Sequence, residues 1–381
     1  MNLKTFTTIS FLLLSGIPAL AFGYGEGEDI PYESRAIHLM TNEARTAPRE
    51  ALADCGKNCS EGRECYEKSV APLYWHEDLY RAAQFHANMM NDLSCMQHAS
   101  PCTLVSSVAT DFPNTCDGKV ACACEGGTAE CRSTGTETFE RIGMFYKGGG
   151  SRAENIAQSA SAGKPLPMFN QWLFEESSGS CGKVSGNGHR ASILSPTYHV
   201  IGVGVSGKYG AQDFGDLNNS EVLTSGSHYQ EGEKLWFKTH FFSETKSAEK
   251  VVVAVKGECT LLEKTRGSNH NGIYGTSELT APEACTPYYY EAEDSEGQKY
   301  RFPSTGSLLF DCDRSWQSES AASCIDRVDG SSNGGSSDSC SSMPLKSNQN
   351  PMWIFAMFTA LALVWSTKKY SLFRHPSFSK K

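Results

Sequence analysis

The sequence has no basic block in its body. Its formal net charge is -9 over 381 residues, with 34 Lys and Arg against 43 Asp and Glu. That balance argues against nucleic acid as a partner. Charged residues make up only 20% of the chain, while Gly, Ser and Thr are frequent. This composition fits a loop-rich extracellular protein better than a cytosolic helical one. Catalytic signatures are also lacking. There is no HExxH, so that metallohydrolase motif is absent. No CxxC pair repeats at zinc-ribbon spacing, which makes a cysteine-held metal the weaker reading. The C-terminal apolar stretch MWIFAMFTALALVW, 352–365, has fourteen residues. That is short of the ~20 of a comfortable spanning helix.

What is present starts at the N-terminus, MNLKTFTTISFLLLSGIPALAFG. One Lys precedes a short apolar run that ends in Ala19-Leu20-Ala21. This reads as a secretory signal peptide over residues 1–21. Fifteen cysteines follow, and in an exported chain most should be disulfides. Ten lie between Cys55 and Cys181, and four (Cys259, Cys285, Cys312, Cys324) lie later. Both counts are even, so each group can close on itself and leave Cys340 unpaired.

Helical spacing of Ala36, Ile37, Met40 and Ala44 marks a helix within 33–53, with Pro48 restarting the chain into a second short turn. Residues 72–100 give the clearest helix, with Leu79, Ala82, Ala83, His86, Met90 and Leu93 on one face. Residues 100–150 read as an irregular, cysteine-rich loop, and 166–176 as another helix. TYHVIGVGVSGKYG and EKLWFKTHFFS (233–243) read as strands of one antiparallel sheet flanked by the helices. From about 250 the chain changes to an all-β pattern, with a hairpin turning at Ser295-Glu296-Gly297. His86, Trp75, Trp172 and the Met89-Met90 pair fit core packing better than ligand binding.

Five segments then carry a resemblance. They are LYWHEDLYRAAQFHANMM (73–90), CMQHAS (95–100), RAENIA (152–157), QWLFEE (171–176) and GHRASILSPTYHVIGVGV (188–205). In this order they resemble the CAP superfamily of cysteine-rich secretory proteins, venom antigens, pathogenesis-related proteins and bacterial SCP-domain proteins. Ala153 stands where the family's usual motif has glycine. The resemblance implies an α+β fold, an α-β-α sandwich, followed here by a small all-β module. It also implies a cleft tetrad of His98, Glu154, Glu175 and His189. Two imidazoles and two carboxylates suit zinc or another divalent metal ion. Glu154 and Glu175 are then the candidate catalytic groups if there is a reaction, with a metal-bound water attacking an ester or peptide. Ser192 has nothing to mark it as a nucleophile.

The expected organisation is a signal peptide at 1–21, a CAP domain at 33–245 with its insert at 100–150, and a β module at 250–327. A flexible linker at 328–350, a transmembrane or sorting segment at 352–366 and a basic tail at 367–381 follow. Cys340 before this segment also resembles the anchor cysteine of a C-terminal sorting signal. The expectation is an exported, surface-tethered protein. It binds a lipid or sterol-like ligand, or an envelope or host macromolecule, and meets the membrane through its C-terminal segment. A metal-dependent hydrolase is the alternative.

Overall fold

The computed structural model describes residues 29–53, 55, 65–100, 104, 108–111, 135–175, 188–318 and 323–328. The signal peptide, linker, C-terminal apolar stretch, basic tail and Cys340 lie outside the described residues. So do the insert cysteines Cys102, Cys116, Cys122, Cys124 and Cys131. Among the described residues no helix is long and apolar enough to cross a membrane.

Seven α-helices are found among the described residues: α1 (Tyr32–Thr46), α2 (Pro48–Ala51), α3 (Glu77–Asp92), α4 (Val108–Asp111), α5 (Thr138–Phe145), α6 (Pro165–Leu173) and α7 (Gly188–Ile193). Pro48 opens α2, where its missing N–H costs nothing. The helix expected over 72–100 is shorter than its apolar spacing indicates. Tyr74–Trp75 form a strand, β1, and the helix begins at Glu77. His76 caps it, its Nδ1 accepting from the Asp78 amide at 3.2 Å. Glu77 and Asp78 complement the dipole of the first turn. The region read as an irregular loop, 100–150, contains α5, whose buried Arg141, Ile142 and Phe145 pack toward α3 and the first sheet.

The first sheet has the order β1-β3-β4-β2, with β2 at Ala153–Gln158, β3 at Val200–Ser206 and β4 at Tyr209–Gly215. β1 runs parallel to β3, and the other pairs are antiparallel. The pleat sorts its two faces. Ile156 and Ala211 meet Ala83 and Met90 of α3. A Cβ at Gly210 would instead meet Met168 and Trp172 of α6. Helices α3 and α5 therefore cover one face, and α1, α6 and α7 cover the other. The fold is α+β, and this part is an α-β-α sandwich.

A second sheet has the order β5-β6-β10-β9: Leu223–Glu231, Lys234–Phe242, Asn271–Thr276 and Glu263–Gly267. Here the expectation of one sheet for 200–206 and 233–243 fails. β6 pairs with β5 and β10, not with β3. Alternation marks a strand but does not choose its partner. The sequence division at 245–250 runs through this second sheet, since β9 and β10 complete what β5 and β6 begin. Helix α1, buried on nearly all sides, lies between the first and second sheets. Its Asn42 donates to Thr224 and Ser225 of β5, and its Glu43 pairs with Lys238 of β6 at 3.0 Å.

The third sheet runs β14-β13-β11-β7-β8, with β12 beside β11. Its strands are β7 (Ala248–Val255), β8 (Glu258–Leu261), β11 (Thr286–Asp294), β12 (Lys299–Phe302), β13 (Ser307–Phe310) and β14 (Trp316–Gln317). The expected hairpin at 295–297 is present between β11 and β12. Tyr290 of β11 donates to the Ser227 carbonyl at 2.7 Å, which joins the third sheet to the second. One apolar core runs from Leu39 and Trp172 to Ile273 and Tyr290. The four later cysteines pair among themselves, as Cys259–Cys324 and Cys285–Cys312. Cys55, Cys65 and Cys95 are also disulfide-bonded.

Candidate functional site

The edge strand β2 positions the site. Glu154 and Asn155 are consecutive on it, so the pleat sends their side chains to opposite faces. Glu154 points to the α3–α5 side. One of its oxygens pairs with Nδ1 of His98 at 2.8 Å, and the other takes the Arg141 guanidinium of α5. Arg141 also donates to the His98 carbonyl at 2.8 Å and to Ser100 Oγ at 3.2 Å. One guanidinium thus holds both the carboxylate and the backbone that carries the histidine. The Glu154 side chain is 1% exposed and that of His98 52% exposed, so a buried acid steers an imidazole at the surface. Burial acts to raise the Glu154 pKa. The Arg141 charge, then the neighbouring histidines, outweigh it and hold the group at about 2.

On the other side of β2, Asn155 donates to the His189 carbonyl at 3.2 Å and to Gln212 of β4 at 3.0 Å. Gln212 donates in turn to Thr41 of α1 at 3.0 Å. His189 sits in the first turn of α7. Glu175, just past α6, accepts the Arg190 amide at 2.8 Å with one oxygen. With the other it takes His189 Nδ1, also at 2.8 Å. A carboxylate at the start of a helix satisfies an orphan N–H there. Arg190 Nε donates to the Leu173 carbonyl at 2.7 Å, which ties α7 to the end of α6.

The four residues singled out from the sequence therefore form two pairs, His98–Glu154 and His189–Glu175, which flank the edge strand from opposite faces. Among the described residues no three His, Cys, Asp or Glu side chains are grouped to hold a metal ion. The carboxylate oxygens are all engaged by Arg141, Arg190 or an imidazole. Two imidazoles alone would fall short of the three protein ligands that a catalytic zinc uses. Ser192 Oγ is buried and donates to the Gly188 carbonyl at 3.0 Å, a helix-internal bond, so it is not activated. His86, on α3, is buried and shares a hydrogen bond with the Gln97 carbonyl at 2.8 Å, in keeping with a packed histidine. Trp75 and Trp172 are fully buried core residues.

Sequence reasoning missed Arg141, Asp213, Asn155 and Arg190. Asp213 of β4 is directly opposite Glu154 in the ladder and fully buried. Burial, then the Glu154 charge, push its carboxyl well above the usual range. One signal was available. Gln212 and Asp213 are adjacent polar residues in a strand covered on both faces, so both must be buried.

No family model matches this chain, and no curated protein does. One solved structure is similar: the 1.5 Å crystal structure of an extracellular protein containing a SCP domain from Bacillus anthracis str. Ames. Identity is 22%, the TM-score is 0.26, and the match covers 41% of this chain and 36% of that one. The chain therefore spans about a third of that relative's length.

Proposed function

We propose that this is an exported, disulfide-stapled binding protein of the SCP (CAP) type, which presents His98 and His189 to a macromolecular partner. The five motif segments and the helices on both faces of a small sheet support the family reading. One observation carries the binding role. Every oxygen of Glu154 and Glu175 is engaged by a fixed donor. Neither carboxylate is available as a general base, which must reach the proton it removes. What the site offers outward is two imidazoles of fixed orientation. The half-exposed His98 favours a surface partner over an enclosed lipid or sterol-like ligand. The uncharged stretch at 352–365 and the basic tail support surface tethering.

A second reading keeps the metal-dependent hydrolase. It draws on the carboxylate at each Nδ1, the arrangement that orients metal-binding histidines. One experiment separates the two. Purified full-length protein and its His98→Ala/His189→Ala variant are compared by circular dichroism, elemental analysis and binding to arrayed envelope proteins, glycans and lipids. They are also assayed on ester and peptide substrates with added zinc. The binding reading expects folded variants that lose partner binding, and no turnover. Turnover that tracks metal content and vanishes in the double variant would establish the hydrolase instead.

A further inference from the structure

A cavity of about 420 Å³ opens where the start of α1, strands β5 and β6, and the end of β13 meet. It lies apart from His98 and His189. One wall is aromatic. Tyr32 stacks on His228 with ring centroids 4.7 Å apart, and Phe310 lies 4.6 Å from the same imidazole. His228 is 5% exposed and shares a hydrogen bond with the Tyr288 hydroxyl at 2.9 Å. Burial, reinforced by the Arg35 charge, lowers its pKa to about 3, so the wall is neutral at ordinary pH.

The rim has one sign of charge. Asp29, Glu33, Asp311 and Asp313 line the opening, and no Lys or Arg does. The buried Arg35 donates instead to the Ile30 and Ser315 carbonyls. These carboxylates are not grouped as metal ligands. The Cys285–Cys312 disulfide lies between Asp311 and Asp313 in sequence and fixes that loop to the start of β11. Aromatic faces attract cations through the ring quadrupole, and acids add Coulomb attraction. Their combination selects a cation with an apolar body. The volume suits a small molecule.

We propose that this cavity binds an organic cation with an alkylammonium head, seated against Tyr32, His228 and Phe310, with its charge toward the carboxylate rim. The site is independent of the His98 and His189 reading, and either can fail alone.

The test titrates the full chain by calorimetry with choline chloride, n-butylammonium chloride and 3,3-dimethyl-1-butanol, the uncharged isostere of choline. Saturable binding of choline or butylammonium is expected, tighter than the isostere by about tenfold. Asp313→Asn and Asp311→Asn should each weaken the ammonium probe severalfold and leave the melting temperature unchanged. Asn suits position 311, whose φ is 44°. Phe310→Leu should reduce the preference for the charged probe. Failure of both ammonium probes to saturate overturns the proposal. So does equal binding of the isostere, wild-type binding in both Asn variants, or calcium chloride displacing the ammonium probe at equal concentration.

Discussion

Glu154 and Asp213 face each other across the β2–β4 ladder, two buried carboxyl groups whose pKa values move in opposite directions. Glu154 holds the charge because Arg141 and His98 contact it. No N–H donor reaches Asp213, which lies fully buried beside that charge and stays protonated. The pair's net charge is thus fixed by one guanidinium. Surface and interior meet here, since the Glu154 carboxylate also orients the exposed His98 ring.

The two acids give stability opposite pH dependences. Asp213 is raised in the fold, so above its ordinary value of 3.8 the unfolded chain releases a proton that the folded chain keeps. Its contribution falls as pH rises through that window. Glu154 is depressed, so its contribution is present above 4.5 and is lost as pH falls toward about 2. Asp213→Asn should match the wild type at pH 3 and exceed it at pH 8. The gain is about 1.4 kcal/mol for every tenfold by which the fold weakens this acid. Urea unfolding at both pH values checks this, and an Asn variant less stable at pH 8 contradicts a protonated Asp213.

Arg141→Met leaves Glu154 buried without its main counter-charge. Breaking a buried pair by removing one partner costs about 3 kcal/mol or more. Adding Glu154→Gln removes the stranded charge and should recover part of that loss. Denaturant midpoints of the single and double variants measure the difference. A single variant close to the wild type would mean that Glu154 is stabilised mainly by His98.

The extent to which this site was legible follows from where its residues lie. His98, Glu154, Glu175 and His189 stand in recognisable motif segments, although their spacing did not reveal that they meet as two pairs. Arg141 lies in a region whose cysteines and glycines read as loop, because α5 is only two turns long. Asp213 lies in YGAQDFG, and its place opposite Glu154 follows only from the register of β2 and β4. The same limit applied to the sheets. EKLWFKTHFFS announced a strand, but its partners β5 and β10 follow from tertiary packing against α1 and the third sheet. By contrast, α1 and α2 were readable because apolar spacing and Pro48 are local signals, and the even count of later cysteines allowed them to close among themselves without choosing the pairing.

Acid should destabilise the protein from about pH 6. His38 and His240 are lowered to about 4, and His86 and His228 to about 3, in each case by burial first. A base with a depressed folded pKa gives stability that is complete above its ordinary value of 6.5 and is lost as pH falls toward the folded pKa. Each group contributes up to about 1.4 kcal/mol per pH unit in that window. Asp213 and Glu221 act in the opposite sense, the latter raised to about 8 by burial. The four histidines outweigh the two acids. Urea midpoints should therefore fall between pH 6 and pH 4.5, and the His86 ring should show no NMR titration above pH 4. Midpoints that hold steady over this range would indicate protonated histidines inside the fold.

The sequence VIGVGVS in β3 has a packing reason that a substitution can expose. Gly202 and Gly204 lie on the same face of the strand, turned to α3. A Cβ at Gly202 would come 1.9 Å from the Tyr80 amide nitrogen, and one at Gly204 would come 2.3 Å from the Ala83 carbonyl carbon. Both obstacles are helix backbone, which cannot swing aside as a side chain can. Alanine at either position must push α3 away from the sheet, along with the His98 segment that follows the helix. Gly202→Ala and Gly204→Ala should each cost about 3 kcal/mol, the upper range for overpacking. Gly149→Ala is the control, because a Cβ there meets nothing within 4 Å. Thermal unfolding of the three variants decides it. If Gly202→Ala melts with the control, α3 does not lie as close to β3 as this register requires.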